Sequence, residues 1–132
     1  MKALVDAGAI GAPYAFFALS ASSSDKIIIF PWRHLKNIGG ILTDAGVHTV
    51  DLMQYWMGPV REIYAQARLL EPIRYKSTAT TATSPFYEHW TGEIPDQMEA
   101  TAEDTLLSVL TFESGALGQW TSFNAAHGEG FG

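Results

Sequence analysis

The chain contains no cysteine. That removes disulfides, thiolate metal sites and thiol nucleophiles together, and it suits a reducing compartment. Cations are scarce, with eight Lys and Arg against fourteen Asp and Glu and a net charge of −6 over 132 residues. Nucleic acid is therefore not an expected partner, because phosphate recognition needs clustered Lys and Arg. No apolar run approaches the ~18 residues of a membrane span, so a membrane is not expected either. The start, Met1-Lys2-Ala3-Leu4, lacks the hydrophobic region of a signal peptide, and the expected location is cytoplasmic. What remains is a 47% apolar, 17% charged chain, long enough for one domain with a real core.

The most informative stretch is Gly39-Gly40-Ile41-Leu42-Thr43-Asp44-Ala45-Gly46-Val47-His48-Thr49-Val50-Asp51. As a helix at about 100° per residue, it gathers Asp44, His48, Asp51 and Tyr55 within roughly 60° of one another. Around this stripe the segment is apolar or small, with Ile41, Leu42, Ala45, Val47, Val50, Leu52, Met53, Trp56 and Met57. It lacks the Lys, Glu and Arg pairs of an ordinary surface helix. Polar groups on an otherwise buried helix must be paired or face a cavity. The pattern is that of a site.

Along the chain, Lys2 to Ala7 reads as the end of a helix stopped by Gly8. Tyr14 to Ser20 reads as a buried strand, Ser22 to Ile38 as a loop holding Pro31-Trp32-Arg33, and Gly40 to Met57 as the long helix. Arg61 to Leu70 alternates as a strand with one wetter face. Glu71 to Glu103 is irregular, with an aromatic knot at Phe86, Tyr87, His89 and Trp90 that could stack on a sugar or pin the loop to the core. Thr105 to Phe112 and Leu117 to Phe123 form two strands around a Glu113-Ser114-Gly115-Ala116 turn. The expected fold class is α+β, a largely antiparallel open sheet packed against helices. The chain opens inside a helix and closes just after a strand, so residues 1–132 are expected to be one partial domain of something larger, its sheet incomplete.

Several motifs in order then resemble one family. They are Gly8-Ala9-Ile10-Gly11-Ala12-Pro13, Trp32-Arg33, Gly39-Gly40 through Asp44, Gly46, His48 and Asp51, Gly58-Pro59-Val60, Glu103-Asp104-Thr105, and Phe112-Glu113-Ser114-Gly115-Ala116. The set resembles the second domain of the Gfo/Idh/MocA oxidoreductases, the glucose–fructose oxidoreductase and inositol dehydrogenase group. The resemblance implies an α+β substrate domain that follows a Rossmann domain binding NAD(P) and assembles subunits through an open sheet. It places the family's catalytic Asp and His at Asp44 and His48. Its catalytic lysine, in a Glu-Lys-Pro motif, belongs to the first domain, and this sequence has neither that motif nor a Gly-x-Gly-x-x-Gly fingerprint. No dinucleotide-binding domain is therefore expected here, nor activity from the chain alone. The substrates implied are sugars, inositols or related polyols, and the implied assembly is a homo-oligomer.

The chemistry agrees with the residue types. Oxidising a carbinol needs a base within reach of the hydroxyl, and the ordinary histidine pKa of ~6.5 suits His48 to it. Asp44, near the helix N-terminus where the dipole attracts negative charge, could orient the ring or hold a neighbouring hydroxyl. Trp32 and Arg33 precede the glycines and are candidate substrate contacts; the bland reading puts Trp32 on the core and Arg33 in solvent. Asp51 either anchors the helix or touches substrate. His127 either reaches the pocket from the last strand or frays at the terminus. Two other functions stay open: a non-enzymatic binding or assembly module, and a small metal-dependent isomerase or hydrolase using Asp44 and His48 with Asp51, His34, His89 or His127.

Overall fold

In the computed structural model, which describes residues 2–23, 25–77 and 94–126, one long helix crosses one face of a four-stranded sheet. The elements run α1 (Lys2–Asp6), β1 (Ala15–Ser23), α2 (Gly40–Met57), β2 (Val60–Arg68), β3 (Ile73–Tyr75), β4 (Gln97–Glu99), β5 (Thr105–Phe112) and β6 (Leu117–Ala126). Two 3-10 turns, Pro31–His34 and Lys36–Ile38, lie between β1 and α2. The sheet order is β1-β6-β5-β2, with β6–β5 and β5–β2 antiparallel and β1 added parallel to β6. The sheet is open and mostly antiparallel, as the α+β reading anticipated.

Each element forms where local chemistry allows it. Gly8, at φ +72°, ends α1, and the Ala9 N–H closes back onto the Leu4 carbonyl. Between β5 and β6, Gly115 takes φ +85° and Phe112 donates its N–H to the Ala116 carbonyl at 2.9 Å. The core gathers Met53, Leu110, Phe112 and Ala116, with Phe16, Met57, Val60 and Trp120 packed on it. Gly46 lets α2 settle this close, since a Cβ there would stand 2.6 Å from the Trp120 ring.

Three readings are corrected. Within the stretch read as irregular, Ile73 pairs with Glu99 and Tyr75 with Gln97, giving a second, two-stranded sheet. Such three-residue strands are too short to show a period. The alternation of residues 61–70 does not give β2 a dry face, because β2 is an edge strand. Ile63 is 57% exposed on one side and Tyr64 66% on the other. Nor is α2 otherwise buried: only Gly40, Ile41, Gly46 and Met53 are, while Val47, Val50, Leu52 and Tyr55 lie open. One face meets the sheet; on the other the described residues cover only the N-terminal end, where Arg33 meets Asp44, and touch Tyr55 through Lys2. The aromatic knot at residues 86–90 lies outside the described residues.

One buried ion pair joins the pieces. Arg74 and Asp104 are 0% and 1% exposed, with Arg74 Nη2 2.7 Å from Asp104 Oδ2. Asp104 also accepts hydrogen bonds from the Leu70 and Glu71 amides and the Thr105 hydroxyl. Arg74 donates from Nε to the Glu71 carbonyl and from Nη1 to the Asn124 carbonyl. A carboxylate and a guanidinium can sit out of water only when so completely bonded.

Replacing one partner strands the other charge. Asp104→Leu is expected to cost about 3–5 kcal/mol in urea unfolding, and Arg74→Met combined with it to recover much of that loss.

Candidate active site

The site region is built from the 3-10 turn at Pro31–His34 and the N-terminal half of α2. Gly39 at φ +128° and Gly40 at φ +75° make the bend into α2, and a Cβ on Gly40 would stand 2.5 Å from that of Ala102. The double glycine thus lets the helix start pressed against residues 101–102. That sets where Asp44 and His48 emerge.

The structure brings Arg33 and Asp44 together. Arg33 Nη2 lies 2.5 Å from Asp44 Oδ2, both side chains being mostly covered. The contact does not count as a hydrogen bond, and Asp44 Oδ2 and Arg33 Nε, both shut from water, have no hydrogen-bond partner among the described residues. Asp44 stands beyond the first turn of α2, so its positive neighbour is this guanidinium and not the helix end. The Arg33 guanidinium carbon also sits 5.8 Å from the Trp32 ring centroid, within cation–π range. The bland reading of this dipeptide is inverted: Trp32 is 37% exposed, and Arg33 is the covered one.

His48 follows Asp44 by one turn and is exposed, with no hydrogen bond or ion pair among the described residues. Its ring is not tied to Asp44. Asp51 is exposed and anchors nothing among the described residues, and Tyr55 carries the stripe to the Lys2 ammonium, 5.9 Å from its ring centroid. His127 lies outside the described residues. No three His, Asp or Glu among the described residues converge as metal ligands.

Nor do these residues fit a dinucleotide. Gly8-Ala9-Ile10-Gly11 forms an exposed turn that follows α1 and leads into β1, whereas a pyrophosphate turn leads from a strand into a helix.

Sequence reasoning named His34 only as one possible metal ligand and missed its hydrogen bonding. His34, buried to 1% exposure, accepts the Ile28 N–H on Nε2 at 2.9 Å, and its carbonyl accepts the Thr101 and Ala102 amides at 2.8 and 3.0 Å. Burial foremost, then the Arg74 and Arg33 charges, push its pKa down to about 4 against the opposing pull of Asp104. It is held neutral, with the proton on Nδ1. The only signal for it in the sequence was its place beside Trp32-Arg33.

An α+β domain with an open sheet, and a helix that carries a half-buried carboxylate and an exposed imidazole one turn apart on the side away from the sheet, is the class the geometry defines. The chain belongs to the GFO/IDH/MocA C-terminal domain family, whose model matches residues 1–131. Among solved structures it is similar to an NAD-binding oxidoreductase from Klebsiella pneumoniae, at 25% identity and a TM-score of 0.69 over 96% of this chain and 31% of that one. It shares the fold of levoglucosan dehydrogenase solved with NADH and levoglucosan, at 22% identity and TM-score 0.70 over 97% of this chain and 30% of that one. It also shares that of the WlbA dehydrogenase from Bordetella pertussis with NADH and UDP-GlcNAcA, at 20% identity and TM-score 0.66 over 98% and 32%. The chain spans about a third of the length of these proteins. No curated protein matches it.

The depressed His34 pKa has a consequence for stability. Between its ordinary value of 6.5 and about 4, the unfolded chain binds a proton at His34 that the folded chain refuses. His34 therefore destabilises the fold as pH falls through that window, by on the order of 3 kcal/mol in full. His34→Gln is expected to flatten the fall in urea midpoint between pH 7 and pH 5.

Proposed function

We propose that the chain is the substrate-binding and catalytic part of an NAD(P)-dependent oxidoreductase acting on CH–OH groups of sugars, inositols or related polyols. The observation that carries this reading is the open position of His48, one turn from a half-buried Asp44, on the side of α2 away from the sheet. A free, approachable imidazole can take the proton of a reacting hydroxyl. Asp44, already beside Arg33, is suited to hold a neighbouring hydroxyl and orient the substrate. Trp32 offers a flat apolar surface to a sugar ring, and Arg33 a donor edge. Asp51 lies one to two turns further along the same face, within reach of a larger substrate. His127 is a substrate contact on the sequence reading only.

The dinucleotide belongs to a Rossmann domain outside this partial domain, which makes that domain the first partner and leaves the chain inactive alone. NADH and sugar ligands in levoglucosan dehydrogenase and WlbA support the cofactor and substrate classes. No helix among the described residues is long and apolar enough to cross a membrane; the proposed location, on the sequence reading only, is the cytoplasm.

The bare side of the sheet supports a homo-oligomer. Phe17, Leu19, Tyr64, Leu107, Val109 and Leu117 are each at least half exposed there, around a shallow groove of about 620 Å3 with no lining residue on α2. A contiguous apolar face of this kind marks an interface.

Titrating the chain with levoglucosan or myo-inositol is expected to shift the NMR signals of Trp32, Asp44 and His48, while NADH moves none of them. Shifts confined to other surfaces would count against the site. In the enzyme that carries this chain, His48→Asn is expected to lower kcat by about 10²–10⁴-fold with KM little changed. Val109→Lys, at the centre of the bare sheet face, is expected to abolish self-association in analytical ultracentrifugation and leave the fold intact.

A further inference from the structure

Beside the Arg33–Asp44 contact stands His34, whose side chain bonds elsewhere. Arg33 is the last residue but one of a short path of chain, residues 25–34, that leaves the sheet after β1 and returns toward α2 through the 3-10 turn. Within that path Ile29 stands at φ +62°, a conformation a β-branched residue holds only when its surroundings impose it. Two bonds flank it. The Phe30 N–H donates to the Ile28 carbonyl at 2.7 Å, and the Ile28 N–H donates to His34 Nε2 at 2.9 Å. The His34 carbonyl then fastens the end of the turn to residues 101–102, against which Gly40 brings the start of α2. His34 therefore measures the distance between the strained path and the helix, and Arg33 is its chain neighbour.

We propose that His34 is a positioning residue for the candidate active site: by accepting the Ile28 amide it holds the 3-10 turn at the height that sets the Arg33 guanidinium against Asp44 and closes both from water. This rests on the reading of Asp44 as the group that orients substrate. Charged groups near the ring come from three elements: Arg33 on its own turn, Arg74 on β3, and Asp104 ahead of β5. All three are structural partners of the ring's surroundings, and only Arg33 reaches the site.

Arg33 Nε is shut from water, so its N–H should exchange slowly with solvent. The test follows this proton by NMR at pH 7 in the chain itself, in four forms: unchanged, His34→Leu, His34→Gln and Leu110→Ala. Leucine fills the site but leaves the Ile28 amide unpaired, whereas glutamine presents an oxygen acceptor. Leu110→Ala loosens the core under the far half of α2. The expected result is Arg33 exchange about tenfold faster in His34→Leu, near the unchanged rate in His34→Gln, and unchanged in Leu110→Ala. Equal rates in the first two forms, or an equal rise in Leu110→Ala, would overturn the proposal. If His34→Leu does not fold, His34→Asn takes its place, its shorter side chain leaving the Ile28 amide unreached, and equal rates in His34→Asn and the unchanged chain would overturn the proposal. Levoglucosan is then added to the same samples. Arg33 exchange that depends on residue 34, without any ligand-induced shift at Asp44 or His48, keeps the positioning role and removes the substrate reading. A ligand response at Asp44 that ignores residue 34 does the reverse.

Discussion

The Arg74–Asp104 ion pair is the constraint on which the rest of the arrangement depends. It satisfies the turn after β2 through the Leu70 and Glu71 amides and the end of β6 through the Asn124 carbonyl. Asn124 answers by donating its amide and its side chain to the Asp104 carbonyl. From β3 the order passes on, because the Tyr75 carbonyl receives the Ile27 amide and the next amide, that of Ile28, goes to His34. A pair of charges in the interior contributes little net stability, yet it tolerates almost no geometry but its own. It serves as a reference point against which loops are placed.

Around that point the described residues form a thin core and leave two faces open. The helix covers one side of the sheet only, and the opposite side keeps large apolar residues in water. Most of the outer face of α2 is open too, with Val47 at 58% and Tyr55 at 55% exposure next to His48 and Asp51. A domain of this size buries a limited fraction of its apolar surface unaided. The two faces differ in chemistry: the sheet side is broad and apolar, while the helix side mixes apolar and titratable groups.

Chemistry at the helix side is shaped by Arg33 more than by the Asp44–His48 spacing. The i, i+4 spacing puts the two groups on one face, but the carboxylate leans to the guanidinium and leaves the imidazole alone. A buried ion contact of this kind is costly to keep and simple to reorganise, since both partners hold unused hydrogen-bonding capacity.

Much of this was legible in the residues themselves. The 3.6-residue period, ended by Gly58-Pro59, marks α2 over Gly40–Met57, and the Gly115 turn marks the β5–β6 hairpin, because both signals are local. The stripe of Asp44, His48, Asp51 and Tyr55 follows from helix geometry alone. Partnership does not. Arg74 and Asp104 are 30 residues apart, and no local pattern says that they meet. His34 looked like one imidazole among four, and only packing made it a neutral acceptor for a strained path. The bareness of α2 and of β2 was likewise decided in three dimensions, since an apolar period says which side of an element wants cover and not whether the chain supplies it. Sequence determines what each segment can be. Which charges find each other, and which faces stay open, depend on contacts between distant segments, and those exist only once the sheet has formed.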